Sequence, residues 1–283
     1  MGTLGGILRL LRPINCVMMG FAVLVGAAIG GGAGLIGSWR GLVLGFITGF
    51  ALTGSAMAIN DYYDREIDAI NEPGRPIPSG TVSPTEALAA SLALGAVGLL
   101  AAWLTSPSCL TVAVFSWAVM TLYSTRGKRT GLLGNLLVST CIAIPLIYGG
   151  LAVEKVVLPS SLLFALMAFL SNTGREVTKG IVDVEGDRAK GIRTVAVSRS
   201  AKTAAAAAAS LYLSAAAISL LPITLGLVSV WYAPFIALTD LGLVLSSYAL
   251  VRNPSRENSR KVKNCVLIWM MSGLLGFLAG SLL

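Results

Sequence analysis

Residues 41–59 read GLVLGFITGFALTGSAMAI, and residues 60–68 directly after them read NDYYDREID. The first stretch holds no charge and is close to the roughly 20 residues a helix needs to cross about 30 Å of hydrocarbon. The second places Asp61, Asp64, Glu66 and Asp68 just beyond it. This junction reads as a membrane helix whose polar chemistry begins where the hydrocarbon ends. The pattern repeats outward in both directions. Apolar runs fall at about 14–33, 41–59, 85–105, 108–124, 133–153, 159–175, 201–221, 225–250 and 263–282. The chain is therefore expected to be an all-α, polytopic membrane protein of nine transmembrane helices.

Composition agrees. Hydrophobic residues make up 55% of 283 residues and charged residues 12%, with mean hydropathy +0.80, 32 glycines and no histidine. A soluble domain carries about 25% charged residues, so a soluble globular enzyme and a disordered chain are both excluded. Without histidine there is no imidazole base, no histidine triad and no histidine metal site. Cys16, Cys109, Cys141 and Cys265 sit singly in apolar runs, which suits buried small residues better than a disulfide framework or a zinc site. The basic pI of 9.6 is not read as nucleic-acid binding, since base-reading motifs are absent and membrane loops account for the charge. The first apolar run continues too long, without a convincing cleavage site, to be read as a cleaved leader.

Basic residues test the topology. The N-terminus and the alternate loops after spans two, four, six and eight hold 19 of the 21 Lys and Arg, leaving only Arg40 and Lys155 for the other side. By the positive-inside rule the N-terminus is cytoplasmic and the C-terminus outside. A missed or invented span would scramble that alternation. Ser83-Pro84-Thr85-Glu86 and Ser200 carry helix-start signals at the third and seventh spans. Glycine and alanine, as in Gly26-Ala27-Ala28-Ile29-Gly30, allow close helix packing.

The acids are clustered. Five of 13 lie between Asp61 and Glu72, and four between Glu176 and Asp187. Both groups follow even-numbered spans on the cytoplasmic side. If the second helix continues, Asn60, Asp61, Asp64 and Asp68 share one face. Like charges so placed repel and call for a cation. Asp183 and Asp187 repeat at i, i+4 after the sixth span. An all-oxygen donor set suits Mg²⁺, which commonly takes one or two carboxylates and completes its shell with water and phosphate oxygens. Asp61, Asp64, Asp68, Asp183 and Asp187 are thus the candidate metal ligands. A shift of four spans separates the two clusters, which hints at a parallel repeat, residues 1–124 and 133–250, with a ninth helix at 263–282. One transmembrane domain spans 1–283, with cytoplasmic cap loops at 61–84 and 176–200.

At these residues the sequence resembles the UbiA-type superfamily of intramembrane prenyltransferases. Asn60 to Asp68 matches the family's NDxxDxxxD motif, and Asp183 and Asp187 match its second aspartate motif. Within the superfamily the likeness is greatest to archaeal digeranylgeranylglyceryl phosphate synthases. It rests on Asn71-Glu72-Pro73-Gly74-Arg75-Pro76-Ile77-Pro78-Ser79, Gly134-Asn135-Leu136, Arg175-Glu176, Glu185-Gly186-Asp187 and the Asn253-Pro254-Ser255 tail. The chain departs from those relatives at Gly180 and Val182, where they usually carry further acids.

The resemblance implies a helical bundle around a central cavity and a Mg²⁺-dependent prenyl transfer. A geranylgeranyl diphosphate ionises to an allylic cation, and the hydroxyl of geranylgeranylglyceryl phosphate captures it to form the second ether of an archaeal membrane lipid. The implied partners are an isoprenoid diphosphate, a lipid-like acceptor and the cell membrane, with the site at its cytoplasmic face. The resemblance assigns Tyr123 near the breaking bond and Lys128 to the diphosphate, with Asp64 and Asp187 as catalytic carboxylates. Asn60, Arg65, Arg75, Lys179 and Asn15 are substrate-binding candidates. Each basic residue also has a plainer reading, as a topology charge or an acid's counter-ion, and Arg12 is read first as a snorkelling anchor. Asp240, inside the eighth span, is either functional or bonded to a neighbouring helix. Prenylation of an aromatic or macrocyclic acceptor, or cation-coupled transport, are the competing functions.

Overall fold

A computed structural model describes residues 3–31, 35, 37–189 and 191–282. The last two residues of the first expected span, 32–33, and Lys190 lie outside the described residues, as does the side chain of Asn71. Among the described residues every regular element is helical. The order is α1 (Thr3–Leu11), α2 (Pro13–Gly31), α3 (Trp39–Asn71), α4 (Pro84–Thr105), α5 (Pro107–Thr125), a 3-10 turn (Gly127–Thr130), α6 (Leu132–Glu154), α7 (Pro159–Val182), α8 (Val184–Ala189), α9 (Val195–Ser198), α10 (Ala201–Ile218), α11 (Leu221–Thr224), α12 (Tyr232–Arg252) and α13 (Arg256–Leu282).

Local sequence explains several boundaries. Ser83 and Glu86 form a reciprocal capping box at the start of α4, at 3.2 and 2.7 Å, with Pro84 in the first turn. Ser106 and Ser200 cap α5 and α10 in the same way, each accepting from the backbone N–H three residues on. Arg12 breaks α1 from α2 with a left-handed φ of 51°, and Pro13 opens the new helix. The nine-residue α1 was not expected from the sequence. Its sequence is amphipathic and too short to cross a membrane.

Among the described residues, eight helical segments are long and apolar enough to span a bilayer. They are α2, α3 through Glu66, α4, α5, α6, α10 continuing through α11, α12 and α13. The sixth expected span is a 24-residue helix, α7, but it is too polar to be counted with them. Its surroundings explain why. α7 packs against α6, α10 and α13, so its polar groups meet protein. Asn172 donates to Ser139 Oγ at 3.1 Å, and Thr178 bonds Tyr212 Oη at 2.9 Å. The eighth span begins later than expected, at Tyr232, because a turn at Gly226 (φ 64°) separates it from α11.

α3 is 33 residues long and runs past its apolar part to Asn71, so residues 61–71 are helix. Residues 176–182 likewise complete α7. The helices close into a ring: α2 packs on α3 and α6, α6 on α7, α7 on α10, α10 on α12, and α12 on α13, which returns to α2. Interhelical hydrogen bonds tie neighbours where lipid would offer none. Tyr148 Oη donates to Thr48 at 3.1 Å, and Trp117 Nε1 to Ser55 at 3.0 Å. Backbones approach closely where α2 meets α6. A methyl added at Gly30 would lie 2.8 Å from Gly150 Cα.

The segments that carry the basic residues gather at one end of this ring. Arg9 Nη2 donates to Gly74 O at 3.1 Å, Lys128 reaches Asp64, the backbone at Gly131 abuts that of Arg193, and Arg256 lies 3.6 Å from Glu185.

Candidate active site

The extension of α3 beyond its apolar run places Asn60, Asp61, Asp64 and Asp68 on one side of the helix, at 100° per residue. Their repulsion is met by the protein's own cations. Arg12 Nη2 donates to Asp61 Oδ1 at 2.7 Å, and Arg75 Nη1 to Asp68 Oδ2 at 2.7 Å while lying 3.6 Å from Asp61. Lys128 Nζ donates to Asp64 Oδ2, which also accepts from Asn60 Nδ2 at 3.1 Å. Asp61 and Asp68 are buried, whereas Asp64 is partly open. Arg12 is thus an ion-pair partner as well as a residue at a membrane entry.

Arg75 is held by the loop after α3. It bonds Glu72 Oε2 at 3.0 Å, and its own carbonyl accepts from Ser79 N at 2.9 Å. Partial burial disfavours its charge, but the bonds to Glu72 and Asp68 and the charges of Asp68 and Asp61 outweigh that and raise its pKa above the ordinary arginine value. Burial pushes the Lys128 ammonium down from its ordinary value, against the opposing pull of Asp64, Asp61 and Asp68. Arg65 is placed elsewhere. Its guanidinium sits 4.7 Å over the Tyr62 ring, donates to Tyr62 O at 2.8 Å and approaches Glu66 at 3.7 Å. It is not among the cations that meet the three aspartates.

The second motif lines a pocket of about 170 Å³ with Tyr123, Lys128, Glu176, Lys179, Asp183 and Asp187. Tyr123 is half-buried on the last turn of α5, with Lys128 Nζ 5.8 Å from its ring centre. The 3-10 turn after α5 swings Lys128 back over α5 and toward α3. One side chain therefore reaches both the second-motif pocket and Asp64 of the first motif. Lys179 lies 3.5 Å from Glu176 and is largely exposed. Glu176 also accepts from Arg175 at 3.0 Å. Gly180 faces the pocket beside Thr194, while Val182 is buried. Asn15 is exposed at the start of α2, where its backbone N–H donates to Arg12 O at 2.9 Å.

A second, apolar cavity of about 390 Å³ lies inside the ring between α2, α6, α7, α12 and α13. Met18, Met167, Met270 and Phe277 line it, with Arg175 at α7 and Asp240 at α12. Asp240 Oδ2 accepts from Ser219 Oγ at 2.6 Å. Sequence reasoning placed no role on Arg175 or Glu176. That these sequence neighbours face different cavities is visible only in three dimensions.

Among the described residues no three acidic or sulfur side chains converge as a ready metal cage. The donor chemistry still fits Mg²⁺. All the candidate ligands are hard carboxylate oxygens, and this ion needs only one or two of them when water and phosphate oxygens fill the rest. A Lys-held, partly open Asp64 beside a pocket holding Asp183 and Asp187 meets that requirement.

The sequence model of the UbiA prenyltransferase family matches residues 19–272. The digeranylgeranylglyceryl phosphate synthase of Methanopyrus kandleri is 37% identical over 275 residues, covering 97% of this chain and 98% of its own. That of Thermococcus sibiricus is 34% identical over 275 residues, covering 97% and 96%. A solved structure described as giving structural and mechanistic insights into digeranylgeranylglyceryl phosphate synthase in membranes superposes with a TM-score of 0.87. It is 29% identical and the match covers 99% of both chains. A UbiA homolog from Archaeoglobus fulgidus, bound to GPP and Mg²⁺, shares the fold at a TM-score of 0.67 and 17% identity, over 96% of this chain and 99% of that one.

Proposed function

The chain belongs to the UbiA prenyltransferase family, and on that premise we propose that it makes the second ether bond of an archaeal membrane lipid. It transfers a geranylgeranyl group from geranylgeranyl diphosphate to the hydroxyl of geranylgeranylglyceryl phosphate. The observation that carries the reading is the pair of cavities that meet at α7. An ionic pocket lies on the Glu176 side and an apolar cavity on the Arg175 side, in a chain matched end to end by synthases of that name. An amphiphilic diphosphate needs both environments.

Mg²⁺ would be held by Asp61, Asp64 and Asp68 from the first motif and by Asp183 and Asp187 from the second. When bound it supplies charge that stabilises the departing diphosphate. Lys128 adds a fixed cation to the same pocket, and Lys179 sits on its rim. Asn60 and Arg75 keep the first motif's carboxylates in place for that task. The bond from the allylic carbon to the diphosphate oxygen breaks beside Tyr123, whose ring faces the resulting cation. The acceptor's hydroxyl oxygen forms the new ether bond, and its proton passes to the departed diphosphate, the base that the reaction itself supplies. The ring of helices keeps bulk water from capturing the cation first. Asn15, exposed one turn from Arg12, is assigned to the acceptor's head group as it enters.

The polar helix α7 is enclosed by its neighbours, and this supports its crossing the membrane as a ninth span. With 19 of 21 basic residues in alternate segments, the ionic pocket then faces the cytoplasm, the N-terminus is cytoplasmic and the C-terminus outside. A parallel repeat of residues 1–124 and 133–250 accounts for one acidic motif arising from each half.

Purified protein given labelled geranylgeranyl diphosphate and Mg²⁺, with geranylgeranylglyceryl phosphate or phenolic acids as acceptors, tests the reading. Label is expected only in the lipid diether. Product from an aromatic acceptor alone would refute it.

A further inference from the structure

Arg175 stands out as a cation in apolar surroundings. It lines the cavity of about 390 Å³ whose other lining is largely methionine, leucine, isoleucine and alanine. Its side chain is only 19% exposed. Nη1 is engaged by Glu176 at 3.0 Å, but the Nε–H is buried with no hydrogen-bond partner among the described residues. Glu176 is shared with Lys179, so two cations face one acid and positive charge remains. An unmet buried donor is costly, more so on a charged group. Guanidinium is also suited to phosphate, which it grips through paired N–H bonds. Ser171 and Asn172 lie one turn away on the same face of α7 and line the same cavity.

The other charged group on the cavity wall among the described residues is Asp240. It is bonded to Ser219, at the end of α10 farther from the acidic motifs. An anionic head is therefore favoured at the Arg175 end and disfavoured at the other. That end adjoins the ionic pocket through Glu176.

We infer that Arg175 is the residue that selects a phosphate-bearing acceptor, gripping its head group while the apolar cavity takes its isoprenoid tail. This rests on the lipid-transfer reading above and adds to it the group that distinguishes the phosphorylated acceptor from its alcohol.

The test compares wild type, Arg175→Gln and Arg175→Lys, as full chains with Mg²⁺, using geranylgeranylglyceryl phosphate and the dephosphorylated geranylgeranylglycerol. Arg175→Gln is expected to raise the KM for the phosphorylated acceptor about tenfold or more. The KM for geranylgeranyl diphosphate should stay within about twofold, and preference over the alcohol should fall in proportion. Arg175→Lys, with charge but no fork, should recover part of that preference. A rise confined to the diphosphate's KM, or an unchanged preference in Arg175→Gln, overturns the inference. Wild type that turns over neither lipid acceptor refutes the lipid-transfer reading instead.

Binding without turnover guards against a poorly folded variant. In EDTA, the phosphorylated acceptor should raise the melting midpoint of wild type, while inorganic phosphate and the alcohol should not. The shift should be smaller in Arg175→Lys. Equal shifts in both proteins, or a shift by inorganic phosphate alone, would overturn the assignment.

Discussion

Lys128 Nζ donates to Asp64 Oδ2 across 64 residues of sequence, tying the turn after α5 to the outer end of α3. The same lysine lines the pocket that holds Asp183 and Asp187. It is the side chain through which the two acidic motifs meet. Lys128→Ala should therefore lower kcat/KM for the prenyl diphosphate about a hundredfold, the usual scale for removing a preorganised charge from a transition state. Lys128→Arg should keep part of the rate. Steady-state kinetics with varied diphosphate check this. An unchanged kcat/KM in Lys128→Ala would leave the lysine a topology charge.

Arg75 holds a different carboxylate. It bonds Asp68 at 2.7 Å, and the Asp68 side chain is 9% exposed. Arg75→Ala leaves that carboxylate buried without its main partner, which should cost roughly 1–3 kcal/mol of stability. If the first motif holds Mg²⁺, adding the ion should restore part of the loss. Thermal denaturation in EDTA and in Mg²⁺ is the measurement. The Mg²⁺-induced rise should be larger in Arg75→Ala than in wild type. A midpoint indifferent to the ion in both proteins would remove the first motif from the metal site.

The contrast between Arg75 and Arg65 shows what was legible in the sequence. Hydropathy located the spans, because nineteen uncharged residues such as 41–59 admit few structures but a membrane helix. Helical phase placed Asp61, Asp64 and Asp68 together once α3 continued to Asn71. Phase did not decide the cations. Arg65 lies within the acidic run but at the edge of its charged face, and it stacks on Tyr62. Arg12, 49 residues before Asp61, is the one that pairs with it. Long-range partners of this kind depend on how α1 docks beside α3, and no local pattern records that. The polarity of α7 has the same origin. Asn172 and Thr178 bond side chains of α6 and α10, so hydropathy understates a segment that length and spacing had marked.

Carboxylate chemistry can be separated from fold. Asp64→Asn and Asp187→Asn each keep the volume and lose the charge, so both should insert and purify like wild type. Transfer should fall by about a hundredfold or more in each. Chelation with EDTA should abolish transfer in wild type, and Mg²⁺ should restore it. Ca²⁺ should do so poorly, since it prefers more ligands at longer distances. Two variants with full Mg²⁺-dependent activity would mean that the ligands lie elsewhere.

Asp240 links two helices. Ser219 Oγ donates to its Oδ2 at 2.6 Å, and Tyr232 Oη donates to Ser219 O at 3.0 Å, so the end of α10 is clamped to α12. Asparagine retains an acceptor for Ser219, so Asp240→Asn should leave the melting midpoint nearly unchanged. Asp240→Leu removes the bond and should cost about 1 kcal/mol. A cation-coupled transporter predicts otherwise: ion-driven uptake into proteoliposomes that Asp240→Asn abolishes. Uptake of that kind would overturn the reading of Asp240 as a clamp.

The contact between α2 and α6 sets the shape of the apolar cavity, since Met18 and Ala22 of one helix and Ile142 and Leu146 of the other line it. A Cβ at Gly30 would fall 2.8 Å from Gly150 Cα, and backbone cannot yield as a flexible side chain can. Gly30→Val must therefore push the two helices apart, at a cost of roughly 1–3 kcal/mol. Gly74 is the control, for nothing lies within 4 Å of a methyl added there. Gly74→Ala should leave the melting midpoint unchanged, whereas Gly30→Val should lower it. The displaced wall should also alter selectivity between prenyl chains of different length, which competition between C15 and C20 diphosphates would measure. A Gly30→Val protein as stable and as selective as wild type would mean that the two helices are free to separate without disturbing the cavity they enclose.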